Sequence, residues 1–419
     1  MTTSPGASSQ ALSRRLGLTD AVGVGLASML GAGLFVVFAP AAAQAGSLLL
    51  VAVVVAGLLA TANATSTARL AALYPESGGA YVYGRERLGV KWGHLAGWGF
   101  ISGKIASCAA MALTIGVHIA PGWSQAVAVV VVLAVLALDL QGIQRSAGVA
   151  RVIALTVIAL VLVFVVVLLT SPPVTADTPP PTPPGSGGVL GVAQAVGFLF
   201  FAFAGYARVA TLGEEVVEPR RTIPRAVAIS LGIVLALYVL ISLALTHTLG
   251  AGWVAAREAP LAEAAEISAW PWLGPALRVL AVVAAGGALL ALTLGVSRTV
   301  LAMARDRHLP PSLARLDGPH HLPRRAECVV AGFIIVLVVL VDLRGVIGFS
   351  SFCVLVYYAV ANASALTLPG SPLLRVVSAL GLLGCVAVAV LLPWQSVVTG
   401  AVVLAIGAFI GWVRHTTRE

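Results

Sequence analysis

Long apolar runs, broken by short polar segments, dominate the chain. A helix needs about 20 apolar residues to cross the hydrocarbon core of a bilayer. Twelve such stretches can be read, near 20–40, 46–70, 92–117, 122–140, 147–170, 189–212, 225–249, 273–303, 326–342, 346–367, 372–391 and 394–413. None alternates with the period of a barrel strand. The pattern therefore predicts an all-α polytopic membrane protein with twelve transmembrane helices. Most connections are short. Residues 172–188 (PPVTADTPPPTPPGSGG) read as a stiff, extended Pro-rich loop, expected outside the cell.

Composition agrees. Of 419 residues, 59% are hydrophobic and only 10% are charged, too few to coat a soluble chain. An average soluble domain carries about 25% charged residues. The shortage excludes an ordinary globular enzyme, a nucleic-acid-binding protein and a disordered chain. The net charge of +9 finds its explanation in loop retention. With twelve spans and the N-terminus inside, Arg257, Arg278 and Arg344 fall outside, and Lys104 and Arg208 stay within spans. The other 20 of the 25 Lys and Arg lie on the cytoplasmic side. This asymmetry predicts cytoplasmic termini, with tails at 1–17 and 414–419, and a location in the cytoplasmic membrane. Four scattered cysteines without a CxxC pair, and seven histidines without ligand spacing, predict neither disulfide nor metal site. No cofactor is expected. Asp139 and Asp342, at the ends of spans 4 and 9, read as interfacial.

Two spans are interrupted. Span 1 carries four glycines in GVGLASMLGAGLF, and span 6 carries Gly205 in FAFAGYARVATLGEE. Glycine alone is ordinary close packing between membrane helices. The positions say more. Spans 1 and 6 are five apart, so repeats of five helices would have opposite topology, and interrupted first helices of inverted repeats mark a midplane binding site. An unwound helix exposes backbone groups that lipid cannot satisfy. Free N–H groups at Gly31, Ala32 and Gly33, at the positive end of a half-helix, favour a carboxylate. Free carbonyls at Met29, Leu30 and Ala204 favour an ammonium. An amino acid is the simplest ligand carrying both.

Five segments carry a family resemblance. GVGLASMLGAGLF, YPESGGAYVYGRERLG with WGHLAGWGF, FAFAGYARVATLGEEVVEPRRTIPRA, GVSRTVLAMARDRHLP and GFSSFCVLVYYAVANASAL resemble, in order, the amino acid–polyamine–organocation (APC) superfamily. The resemblance covers about residues 15–413. It implies a five-plus-five inverted repeat of the leucine-transporter type (18–171 and 189–368), with spans 11 and 12 (369–413) appended. It implies secondary active transport of amino acids by alternating access, coupled to protons or to exchange. A polyamine or other organic amine as substrate, or sodium-coupled symport, stays open. Carried across, the site places the carboxylate at Gly31, Ala32 and Gly33, the amine at the carbonyls of Met29 and Ala204 beside Gly205, and an aromatic gate at Phe201. Two departures stand out. Where relatives carry an acid two residues after the span 6 glycine, this chain has Ala207, followed by Arg208. Near the span 5 lysine of proton-coupled relatives it has Thr156 and Val157.

Lys104 is the most informative charge. It sits roughly 16 Å into span 3 at 1.5 Å per residue, where a charge costs at least about 2.5–3.5 kcal/mol. It reads as a structural cation on unwound carbonyls, as the coupling cation that span 5 lacks, or as a contact for a side-chain acid of the substrate, and the resemblance turns it to the substrate cavity. Arg208 reads as a partner of Glu214 or Glu215, or as a residue lining the inner vestibule, where it is a coupling or gating candidate. Glu214 and Glu215 themselves read as a solvated ion cluster, with a gate to Arg85 or Arg87 as the sharper alternative. Thr293 and Ser297, four residues apart and so on one face, could offer hydroxyls to sodium beside span 1. The expected partners are the small-molecule substrate, a proton or sodium, and the bilayer, with no nucleic acid. The GxxxxGK[ST] loop of an ATP-driven pump is missing, and no polar cluster at one depth suggests a membrane enzyme.

Overall fold

Every long apolar run becomes a helix. In the computed structural model, which describes residues 16–74, 78–142, 147–172, 187–210, 215–316 and 322–416, the first span is three consecutive pieces, α1 (Leu18–Met29), α2 (Ala32–Val36) and α3 (Phe38–Ala45). Then come α4 (Leu49–Leu73), a short α5 (Ala80–Leu88), α6 (Val90–Ile119), α7 (Ser124–Leu140) and α8 (Ala147–Thr170). The sixth span is α9 (Gly188–Phe203) and α10 (Ala207–Ala210), joined by a 3-10 turn over Ala204–Tyr206. The remainder is α11 (Pro219–Thr248), short α12 (Ala251–Ala255) and α13 (Pro260–Glu266), then α14 (Leu273–Arg305), α15 (Arg324–Leu340), α16 (Leu343–Leu366), α17 (Pro372–Leu391) and α18 (Trp394–Thr416). The tail segments 1–15 and 417–419 and most of the Pro-rich loop lie outside the described residues.

Eleven helices among the described residues are long and apolar enough to span a bilayer. The expected ninth span is α15. At 17 residues it reaches about 26 Å, the short end of the crossing range.

Burial separates the centre from the lipid face. The most apolar windows of α6 and α16 are each 83% buried, against 22% in α7 and α18. Small residues make this possible. Ala106, Ala109, Ala110 and Ala112 of α6 are completely buried, and α6 meets α16 closely enough for Ser107 and Ser350 to hydrogen-bond at 2.8 Å. Ser350 also donates to the Gly103 carbonyl at 2.9 Å. These are the small-residue contacts and interhelical hydrogen bonds that hold membrane helices together where lipid is as apolar as the side chains. The exposed side chains of α7, α17 and α18 (Val130, Leu380 and Phe409 among them) are large hydrophobics, as a lipid-facing shell requires.

Candidate substrate site

Both expected interruptions are present. The helix of α1 stops at Met29 and restarts at Ala32, and Leu30 and Gly31 have non-helical ψ angles of 20° and −142°. Across Val37 the chain stays in right-handed helical geometry, and Val37 N–H bonds to Gly33, so α2 and α3 act as one half-helix. The glycines are set by proximity. Gly31 has φ −75°, accessible to any residue, but a Cβ there would stand 2.9 Å from that of Ala288 on α14. A Cβ on Gly33 would stand 2.7 Å from the Ala202 backbone in α9. On Gly205 it would run into the Ser28 carbonyl and come within 2.7 Å of the Met29 nitrogen. The two broken segments thus cross backbone to backbone at Gly205, between Ser28–Met29 and the Ala204–Tyr206 turn.

The two carbonyls assigned to a substrate amine are already spoken for. Tyr238 of α11 donates its hydroxyl to Met29 at 2.8 Å, and Tyr358 of α16 donates to Ala204 at 3.4 Å. Both tyrosines are fully buried. A carbonyl oxygen has two lone pairs, so each can still accept from an ammonium. Sequence reading passed over both residues, because hydrophobic periodicity shows that a tyrosine faces inward but not which distant carbonyl it meets. Replacing Tyr238 with phenylalanine leaves the Met29 carbonyl unmet, at a cost of about 1–3 kcal/mol. The expected outcome is a protein that unfolds at lower temperature in detergent and regains part of the loss when substrate supplies the missing donor.

Phe201 is half-buried against the core. The aromatic lining is wider than that one ring. Phe200, Tyr206 and Tyr357 surround Tyr358 with ring centroids 5.6, 5.3 and 5.1 Å away, and Phe203 lies 5.0 Å from Tyr238. Phe100 stacks 5.2 Å from Tyr357, and Lys104 Nζ stands 6.0 Å from the Phe100 ring. A chain of rings therefore runs from Lys104 to the Ala204 carbonyl. Lys104 is buried, and no carboxylate among the described residues lies within ion-pair distance of it. Val157 is buried in α8 and Thr156 is exposed on its outer face.

A cavity of about 590 Å³ opens on the face away from the N-terminus, lined by Leu113, Val117, Trp123, Arg257 and Arg344, with Val36 at its floor. Val36 is one helical turn beyond Gly33. On the opposite face, segments distant in sequence are fastened together. Leu16 pairs with the segment after span 6, donating to Glu215 at 3.0 Å and accepting from Val217 at 2.9 Å. Beside it, Tyr81 of α5 donates to Asp306 at 2.5 Å, and Arg85 reaches the same carboxylate at 3.2 Å. Burial first, then the bond to Asp306, pushes the Tyr81 phenol well above its ordinary range, so it stays a donor at any physiological pH.

The remaining expectations divide. Arg85 pairs with Glu86 and Asp306 rather than Glu215, and Arg87 bonds Thr367. Arg208 is half-buried and interacts electrostatically with Glu215 and Arg298. Glu214 lies outside the described residues. Thr293 does not present its hydroxyl to span 1. It donates to Asp139 of α7 at 2.8 Å, and Ser297 donates to the Thr293 carbonyl at 3.0 Å. Asp139 itself is 2% exposed, buried under α15 rather than interfacial.

A profile of the amino acid permease family matches residues 20–413. The chain belongs to the amino acid permease family. This permease is 53% identical to an uncharacterised transporter of Mycobacterium tuberculosis over 96% of its own length and 92% of the relative's. It is 27% identical to a branched-chain amino acid permease of Bacillus subtilis, over 96% and 93%. It is 28% identical to a chloroplastic cationic amino acid transporter of Arabidopsis thaliana, over 85% and 66%. The permease is thus a multi-pass membrane transporter with amino acids as its substrate class.

Proposed function

We propose that this permease moves neutral, zwitterionic α-amino acids by alternating access, in proton-coupled uptake or exchange. The backbone crossing at Gly205 carries this reading. It supports a carboxylate at the N–H groups of Gly31, Ala32 and Gly33, and an ammonium at the carbonyls of Met29 and Ala204. Two inverted repeats, 18–171 and 189–368, would supply the crossing symmetrically, with both termini in the cytoplasm. In that orientation the 590 Å³ cavity would be an outer vestibule, and the pairing of Leu16 with Glu215 and Val217, together with the Tyr81–Asp306 bond, would close the inner side. Rocking of spans 1, 2, 6 and 7 against 3, 4, 8 and 9 would exchange the two. Lys104 is assigned the part of coupling cation, and its unpaired state supports that role.

A polyamine fits less well, since the one buried lysine beside the aromatic lining would repel a polycation. A sodium ion beside span 1 is less well supported, because the Thr293 hydroxyl is turned to Asp139 of α7.

Uptake of a labelled amino acid panel into proteoliposomes, with proton and sodium gradients imposed in turn, tests the reading. Neutral amino acids should accumulate under an inward proton gradient, or exchange against a preloaded amino acid. Transport of none of the panel, or accumulation driven by sodium alone, would overturn it.

A further inference from the structure

The packing of α7, α14 and α15 encloses a second polar site, separate from the helix interruptions. Asp139 is 2% and Glu327 3% exposed. With Thr293 and Ser297 they line a cavity of about 10 Å³, room for one water and nothing larger. Thr293 satisfies one Asp139 oxygen at 2.8 Å. The other Asp139 oxygen and both Glu327 oxygens are buried without a hydrogen-bond partner among the described residues. The pair lies towards the N-terminal face, since Asp139 is next to last in α7 and Glu327 sits in the first turn of α15.

Two buried carboxylates with three orphaned oxygens are not a stable arrangement of charges. An isolated buried carboxylate is neutralised sooner than it is tolerated, and like charges in one site cannot both ionise freely. The groups facing the pair do not cancel it. Arg324 on α15 and Arg298 on α14 interact with Glu327, but both are exposed and act through solvent. Cys108 on α6 is the neighbour of Asp139 from the remaining side. A metal ion would ask for six or so oxygens, twice what the cavity leaves uncommitted. A proton needs one oxygen to bind and one to receive its hydrogen bond.

We propose that Asp139 and Glu327 form a proton-binding site between α7, α14 and α15, filled from water on the N-terminal face. The proton enters as a bulk cation, makes one carboxylate a carboxylic acid, and leaves the same way, with no other bond changed. Thr293 ties the site to α14, which packs Ala288 against Gly31 at the span 1 interruption. Proton occupancy is thereby read by a helix that touches the substrate site. Only this last consequence rests on the transport reading.

Infrared titration of the full-length protein in liposomes tests the site without any transport assay. From acidic to alkaline pH the wild type should lose a deuterium-sensitive carboxylic acid stretch that the Asp139→Asn, Glu327→Gln double variant lacks. If the double variant does not purify as a single species, the single variants decide. Each should move the midpoint of the remaining acid by about one pH unit or more, as coupled sites do. A difference spectrum identical in wild type and variants overturns the proposal. So does a band removed by sodium at constant pH, which would make this a metal site. Uptake measured alongside should show a pH profile whose midpoint moves with the band in the single variants. A band that titrates as expected in a protein that transports no amino acid leaves the proton site standing and refutes the transport reading instead.

Discussion

Replacing Gly205 with alanine stops transport in a protein that still reaches the membrane. The added methyl has nowhere to go. It would meet the Ser28 carbonyl and the Met29 nitrogen, main-chain atoms that cannot rotate aside as a side chain would. The 3-10 turn of span 6 must then back away from span 1, at a cost of about 1–3 kcal/mol. That is roughly a 5- to 150-fold change in the population of the closed crossing. It also parts the Met29 and Ala204 carbonyls, which must face one ammonium together. The same methyl on Gly232 of α11 has nothing within 4 Å, so Gly232→Ala serves as the control. Initial uptake rates of the two variants, normalised to protein in the vesicle, make the comparison. Equal rates would mean that the crossing is slack and that the site is not built on it.

The second large effect is expected at Lys104, where two readings predict opposite changes. If the lysine is structural, Lys104→Met destabilises the protein and uptake falls only in proportion. If it serves coupling, the variant loses a burial penalty of about 2.5–3.5 kcal/mol. It should then be as stable as the wild type or more so, while uptake drops tenfold or more and its pH dependence flattens. The expected result is the second: a protein with higher thermal stability and less transport. The geometry favours it, because the ammonium has no ion-pair partner among the described residues and stands beside the Phe100 ring and the Cys108 thiol. Unchanged rate, pH profile and substrate preference would remove Lys104 from the mechanism.

Much of this was legible in the chain because membrane folding leaves strong marks. Apolar length set the spans, and loop arginines suggested their orientation. Glycines marked both interruptions, since only glycine lets two backbones touch. What stayed hidden depends on which distant segments meet. Tyr238 and Tyr358 look like any inward-facing aromatic until the fold sets them under Met29 and Ala204. Asp139 reads as interfacial from its place at a helix end, and becomes buried only because α15 lies over it. Glu327 sits beside four apolar residues and two arginines and looks like a surface first-turn acid, yet it turns inward onto Asp139. Arg85 has several acids within reach in sequence, and only the return of α14 selects Asp306.

The pairing of Leu16 with the strand-like segment at Val216 sets the resting posture of the machine. On the alternating-access reading, two backbone hydrogen bonds of about 0.5–1.5 kcal/mol each would be cut and remade in every cycle. Their sum would then favour the posture seen here by a factor of roughly 5 to 150. The clasp would then act as a latch, and binding at the crossing would have to offset its two hydrogen bonds before the other door could open.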